Sequence, residues 1–136
     1  SIYKIKKEHD ICILKKEKDL EMAFDMKAVK KFKKYKNLSR GDFVRTLGTP
    51  GDLEGHTDKG EINYLGTAGE AYITTYGDYT ISPSTKIISH SAQIAPGSSG
   101  GPLFDKNGYL IGLNTFMDAN FNYSVSSDHI KDLLKD

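Results

Sequence analysis

The chain has 136 residues, 38% of them hydrophobic and 27% charged, with a formal net charge of +1. That is one domain's worth of chain with enough apolar content for a core, which excludes a disordered segment by composition. A single cysteine excludes an intrachain disulfide, and no run of roughly 18 apolar residues is present to cross a membrane as a helix.

The first segment, Ile2-Tyr3-Lys4-Ile5-Lys6, alternates apolar and polar residues and reads as a strand. Ile11 to Leu14 is a short apolar run, read as a buried strand with Asp10 at its start and Cys12 as a small core hydrophobe. Leu20, Met22, Phe24 and Met26 alternate with Glu21, Ala23 and Asp25, again with period two. Over 27–37 the spacing loosens toward helical, with Ala28, Phe32 and Tyr35 on one side, and predicts a connector with a short helix.

Charge is distributed unevenly. Residues 1–40 carry 13 basic and 6 acidic side chains (+7), whereas 41–136 carry 6 and 12 (−6). Six lysines fall between Lys27 and Lys36, interleaved with Val29, Phe32 and Tyr35. Such a stretch can bind nucleic acid or anionic lipid. The acidic remainder of the chain and the lack of a nucleic-acid motif favour a solvated connector whose apolar side packs on the core. No nucleic-acid partner is expected.

From Gly41 onward glycine recurs every few residues. Phe43 to Leu47 reads as a strand ended by Gly48-Thr49-Pro50-Gly51, and Glu61 to Leu65 as one ended by Gly66. Ala71 to Thr75 and Tyr79 to Ile81 flank Tyr76-Gly77-Asp78 as a hairpin candidate. Leu103-Phe104 and Tyr109 to Thr115 flank Asp105-Lys106-Asn107-Gly108, where Asn-Gly is a strong hairpin signal. Ser126-Ser127 before Ile130, Leu133 and Leu134 predicts a capped C-terminal helix. Many short strands with regular turns argue for an all-β antiparallel barrel or sandwich.

Two motifs carry chemistry. Gly97-Ser98-Ser99-Gly100-Gly101-Pro102 matches G-x-S-G-G-P, and Asp10-Ile11-Cys12-Ile13-Leu14 matches D-I-x-I/V/L-L. The chain resembles the trypsin-like serine proteases at these positions. Tyr109-Leu110-Ile111-Gly112-Leu113-Asn114-Thr115 resembles the L-I-G-I/L-N-T return strand of the HtrA/Deg branch. Gly41-Asp42-Phe43-Val44 to Pro50 resembles its G-D-x-V…I-G-x-P segment, and Tyr123 to Ile130 its closing strand and helix. The resemblance covers roughly residues 9–14 and 41–134.

The resemblance implies two antiparallel six-stranded barrels, the first incomplete in this chain, followed by a short C-terminal helix. Residues 1–26 would be a remnant of the N-terminal barrel, 27–40 the inter-barrel connector, and 41–136 the C-terminal barrel with the nucleophile loop. Ser99 would be the nucleophile, since G-x-S-G-G registers on it rather than on Ser98. The amides of Gly97 and Ser99 would form the oxyanion hole, and Asp10 would orient the catalytic histidine. In this family the order along the chain is His, Asp, Ser, so the histidine is expected upstream of residue 1. His9, His56, His90 and His129 match no family position and read as surface or satisfied polar residues, with His90 leading toward the specificity pocket. His9 adjoins Asp10, so a continuous strand would turn the two to opposite faces.

Gln93, Ile94, Ala95 and Pro96 would form one wall of the specificity pocket. Asn114, Thr115 and Phe116 would form the other edge and pair an extended substrate. Gln93 replaces a basal aspartate, so cleavage after Lys or Arg is not implied. A small or medium apolar, or uncharged polar, side chain is expected before the scissile bond.

The expected partners are a peptide or protein substrate and an N-terminal companion polypeptide carrying the histidine. No metal-ligand spacing or phosphate-binding glycine loop occurs, so no cofactor is expected. Lack of the family's disulfides favours the cytoplasm, a bacterial envelope or a virus-infected cell. A viral polyprotein-processing protease is a variant of the same reading, and a catalytically silent binding module or inactive fragment is its rival.

Overall fold

The computed structural model describes residues 2–14, 31–48, 56–76, 79–94, 99–117 and 121–135. Six strands close a barrel, in the order β10-β7-β4-β3-β8-β9: Asn122–Ser126, Lys86–His90, His56–Thr67, Phe43–Gly48, Pro102–Asp105 and Leu110–Met117. Every pairing in it is antiparallel. Strands β1 (Ile2–Lys6) and β2 (Ile11–Leu14) form a separate two-stranded sheet. Strands β5 (Thr75–Tyr76) and β6 (Tyr79–Thr80) form a third. One helix, α1 (Asp128–Lys135), ends the described chain.

The barrel is filled by Leu38, Val44, Ile62, Ile88, Ala92, Leu103 and Ile111. Strand β7 is buried from Ile87 to His90. Ile88 belongs to this interior, while neighbouring Ile87 packs with Ala68, Ile81 and Tyr123. Gly60 permits a close approach here: a Cβ on it would stand 2.2 Å from the Ala92 backbone nitrogen. No side chain fits that space, so β4 meets the 91–92 turn only through a glycine.

The Asn107-Gly108 turn joins β8 to β9 as expected. The Asp105 carboxylate pins it by accepting the Asn107 and Tyr109 amides, both at 2.9 Å, and Gly108 takes φ +81°. Strand β4 is longer than the expected 61–65. The hairpin expected around Tyr76-Gly77-Asp78 is shorter: β5 and β6 pair over two residues each, and Ala71 lies in a turn.

The lysine-rich connector packs on the barrel where it is described. Phe32 bridges Leu110, Lys31 lies over the Tyr109 ring at 5.4 Å, and Lys33 approaches Asp105 at 3.7 Å. The expected helix over its C-terminal part is only a 3-10 turn, Tyr35–Asn37. Tyr35 itself is anchored, its hydroxyl reaching the carbonyls of Gly66 and Ile87, and burial pushes that hydroxyl up to about 12. The period-two segment at 20–26 lies outside the described residues.

The N-terminal hairpin docks on the barrel with one face. Ile11 is buried with Val125 and Leu133, and Ile13 and Ile130 flank them. Cys12, expected in the core, is exposed. Period two along β2 sends it opposite to Ile11 and Ile13, and only their face is covered by the barrel. Helix α1 is capped as expected: Ser126 Oγ accepts the Asp128 amide at 3.1 Å. Its inner face is His129 and Leu133, whereas Leu134 is 50% exposed. Residues four apart share one helical face, and Leu134 has rotated off it.

Candidate active site around the Ser99 turn

Ser99 and Gly100 form an exposed turn immediately before β8. Gly100 takes φ +84°, in the left-handed region that favours glycine. Its amide donates to Asn114 O at 2.7 Å, and the Asn114 amide donates to Gly101 O at 2.8 Å. This reciprocal pair fastens the turn to β9. The Ser99 hydroxyl donates to Thr115 O at 3.3 Å. Its proton therefore rests on a backbone carbonyl of the strand next to the turn. Gly97, Ser98, Ala95 and Pro96 lie outside the described residues.

Behind β9 lies a buried polar chain. Ser124 Oγ donates to Asn114 Oδ1 at 2.8 Å, and His90 Nε2 lies 3.1 Å from Ser124 Oγ. Since the Ser124 proton goes to Asn114, the His90 proton sits on Nε2 and donates to Ser124. Desolvation is the main cause that lowers His90 to about 4, so its ring is neutral at physiological pH. At 1% exposure it lies within the barrel rather than on an open cleft. Among the described residues, His90 Nδ1, Asn114 Nδ2 and Ser89 Oγ are buried without partners.

The proposed walls are held differently. Gln93 is exposed, its amide donating to Asp58 and its carbonyl accepting from Thr46 Oγ1. Ile94 is buried, and Asn114 is 2% exposed. Thr115 is half-buried, and the Phe116 side chain lies outside the description. Asn122 was not singled out by any motif. Its side-chain amide donates to Ala92 O at 2.9 Å, placing β10 at the foot of the 92–94 segment.

Asp10 stands at the end of a 3-10 turn, Lys7–His9, and at the entrance of β2. It adopts φ 58°, ψ 42°, a left-handed conformation that Asp tolerates better than most residues. His9 is thus in the turn and not on a continuous strand. The Asp10 side chain is exposed toward solvent, while the fold behind it partly desolvates the carboxyl and raises it above the ordinary range. Among the described residues, no hydrogen bond or ion pair engages that carboxylate.

The described histidine rings lie elsewhere. His9 stacks on His129 with ring centroids 4.0 Å apart, and His90 is enclosed. None of these three rings hydrogen-bonds Ser99.

Residues 1–113 match the sequence family described as the trypsin-like peptidase domain. The chain belongs to this trypsin-like family. It is 29% identical to the serine protease HTRA4 of Mus musculus, over 93% of this chain and 24% of that protein. It is 35% identical to the putative serine protease HhoA of Synechocystis sp., over 70% of this chain and 23% of that protein. This trypsin-like chain therefore spans about a quarter of the length of these relatives. Its fold superposes on the HtrA-type protease AlgW with decapeptide at a TM-score of 0.74, covering 99% of this chain and 39% of that one at 20% identity. The barrel, the two-stranded sheet and the short C-terminal helix are thus those of an incomplete trypsin-like fold with HtrA relatives.

Proposed function

We propose that this chain is the nucleophile-bearing part of an HtrA-like serine endopeptidase. Ser99 attacks the scissile carbonyl and forms an acyl-enzyme. A histidine supplied from outside residues 1–136 takes its proton, and Asp10 orients that histidine and stabilises its charged form. The amides of Ser99 and Gly97 receive the oxyanion, a contribution of about 3 kcal/mol per donor to the transition state in comparable sites. The edge of β9 at Asn114, Thr115 and Phe116, and the 93–96 segment, flank the extended peptide.

One observation carries this reading. Ser99 is exposed on a turn that a positive-φ glycine and two short backbone hydrogen bonds hold against β9. A serine presented in that way is aimed at solvent with its backbone preorganised. Two further observations support the outside histidine: the Ser99 proton rests on Thr115 O, and Asp10 has no described partner. The same facts favour the rival, a silent binding module, if no histidine is supplied.

Intact-mass analysis after fluorophosphonate treatment separates the two readings. With the histidine-bearing segment present, the chain gains one adduct, and Ser99→Ala abolishes it. An adduct that survives Ser99→Ala, or none under any condition, sinks the enzyme reading.

A further inference from the structure

The hairpin that carries Asp10 meets the barrel and α1 through its Ile11 face and, at its turn, through a pair of histidine rings. His9 lies in the 3-10 turn between β1 and β2, and His129 is the second residue of α1. Their rings stack at 4.0 Å with planes 26° apart. His129 Nε2 accepts the Lys86 amide at 2.9 Å, and His9 Nδ1 contacts Thr85 Oγ1. The turn adds backbone bonds, with Glu8 O accepting from Ser82 N at 2.7 Å and from Thr85 Oγ1 at 3.3 Å. On the other side Lys4 Nζ reaches Leu133 O at 3.1 Å. One ring pair therefore joins hairpin, barrel and helix.

We propose that the His9–His129 stack is a proton-controlled latch, closed when both rings are neutral and opened when they are charged. A backbone N–H can only donate, so His129 Nε2 must be bare for the Lys86 bond to exist. Protonating it would set two donors against each other at 2.9 Å. Charging both rings would also place two like charges in stacked contact.

The surrounding charges do not compensate. On the hairpin, Glu8 is paired with Lys6 at 3.1 Å, and Lys4 adds positive charge. On β7, Lys86 is paired with Asp128 of the helix at 3.2 Å. Asp132 on α1 also faces the pair, and it is exposed. Burial accordingly lowers both rings, His129 to about 4. Because the docked state holds the lower value, protons favour the undocked hairpin as pH falls from about 6.5. If Asp10 has the role proposed above, opening displaces the orienting acid and switches the site off in acid. The latch itself does not depend on that role.

Hydrogen exchange of the whole chain at about pH 7.5 and about pH 5, corrected for intrinsic rates, tests this directly. At the lower pH one histidine shifts the docking equilibrium by about 30-fold, from an undocked pKa near 6.5. The amides of Ile11 to Ile13, Ser82 and Lys86 should therefore exchange at least that much faster, and His129→Gln, whose amide oxygen can accept from Lys86 at any pH, should remove most of the acceleration. The barrel amides of Ile88 and Leu103 report global opening and should respond to acid equally in both proteins. Equal acid acceleration of the hairpin in wild type and His129→Gln would overturn the latch. Ring titration by NMR provides a second route without substitution: His129 charging near pH 6.5 while the hairpin amides stay unchanged would also overturn it. Labelling of Ser99 is scored separately, so failure of the latch and failure of the protease reading remain distinct.

Discussion

The closed barrel and the N-terminal hairpin face the same physical demand with unequal means. Every strand has two edges and two faces to satisfy. In the barrel, β3 to β4 and β7 to β10 pair on both sides, so closure leaves no unpaired edge. Its interior is largely apolar, and the His90 ring enclosed there is neutral. The hairpin has only two strands, buries chiefly Ile11, and adds a few polar contacts through Lys4, Glu8 and His9. The turn carrying the candidate nucleophile is thus fastened to a strand of the closed barrel. The element carrying the candidate orienting acid rests on the outer surface of the barrel, from which the proposed latch would release it.

The sharpest separation of the two regions is chemical. With the histidine-bearing segment present, Ser99→Ala should lower kcat by about 10⁶-fold and Asp10→Asn by about 10⁴-fold, the sizes met when such triad members are removed. Thermal unfolding of the barrel should be unchanged by either. A loss of barrel stability with Asp10→Asn would mean that the hairpin is integral to the barrel.

Core truncation should divide the regions by stability. Ile88→Ala empties the barrel interior and should cost about 2–5 kcal/mol in global unfolding by denaturant. Ile11→Ala should chiefly speed exchange of the hairpin amides, leaving the denaturant midpoint nearly in place.

Acid should act on the barrel through His90. Its folded pKa of about 4 lies below the ordinary 6.5, so the folded state binds fewer protons in that window. Stability should fall as pH drops from about 6.5 toward 4, by of the order of 3 kcal/mol, and level off below. Denaturant titrations across that range measure the slope, and replacing His90 with Gln should flatten it.

Gly60→Ala should destabilise the barrel by about 1–3 kcal/mol, since the added methyl meets the Ala92 backbone nitrogen, which cannot swing aside as a side chain can. The smallest effect belongs to the half-exposed Lys86–Asp128 pair. Lys86→Ala should change stability by less than about 1 kcal/mol, and less still in high salt.

Much of this was readable along the chain. Asn107-Gly108 announces a hairpin, the alternation of Ile2 to Lys6 a strand, and Gly100 a turn after Ser99, because turn chemistry and side-chain period are local properties. Cys12 shows where local reading stops. An apolar run cannot say whether one face or two will be covered, and here one was. His90 and His129 show the same limit from the polar side: no spacing foretold that one would enter the barrel behind Asn114 and the other stack on His9.

The sequence by itself determined the kind of fold, short antiparallel strands, and singled out a serine in a glycine-rich turn as the candidate for chemistry. Only the tertiary structure decided which distant residues meet. It joined β10 to β7, set His9 against His129 across nearly the whole chain, and left Asp10 facing outward beside them. Such pairings depend on which faces remain to be buried once local structure has formed, and that is a property of the packed chain rather than of any stretch within it.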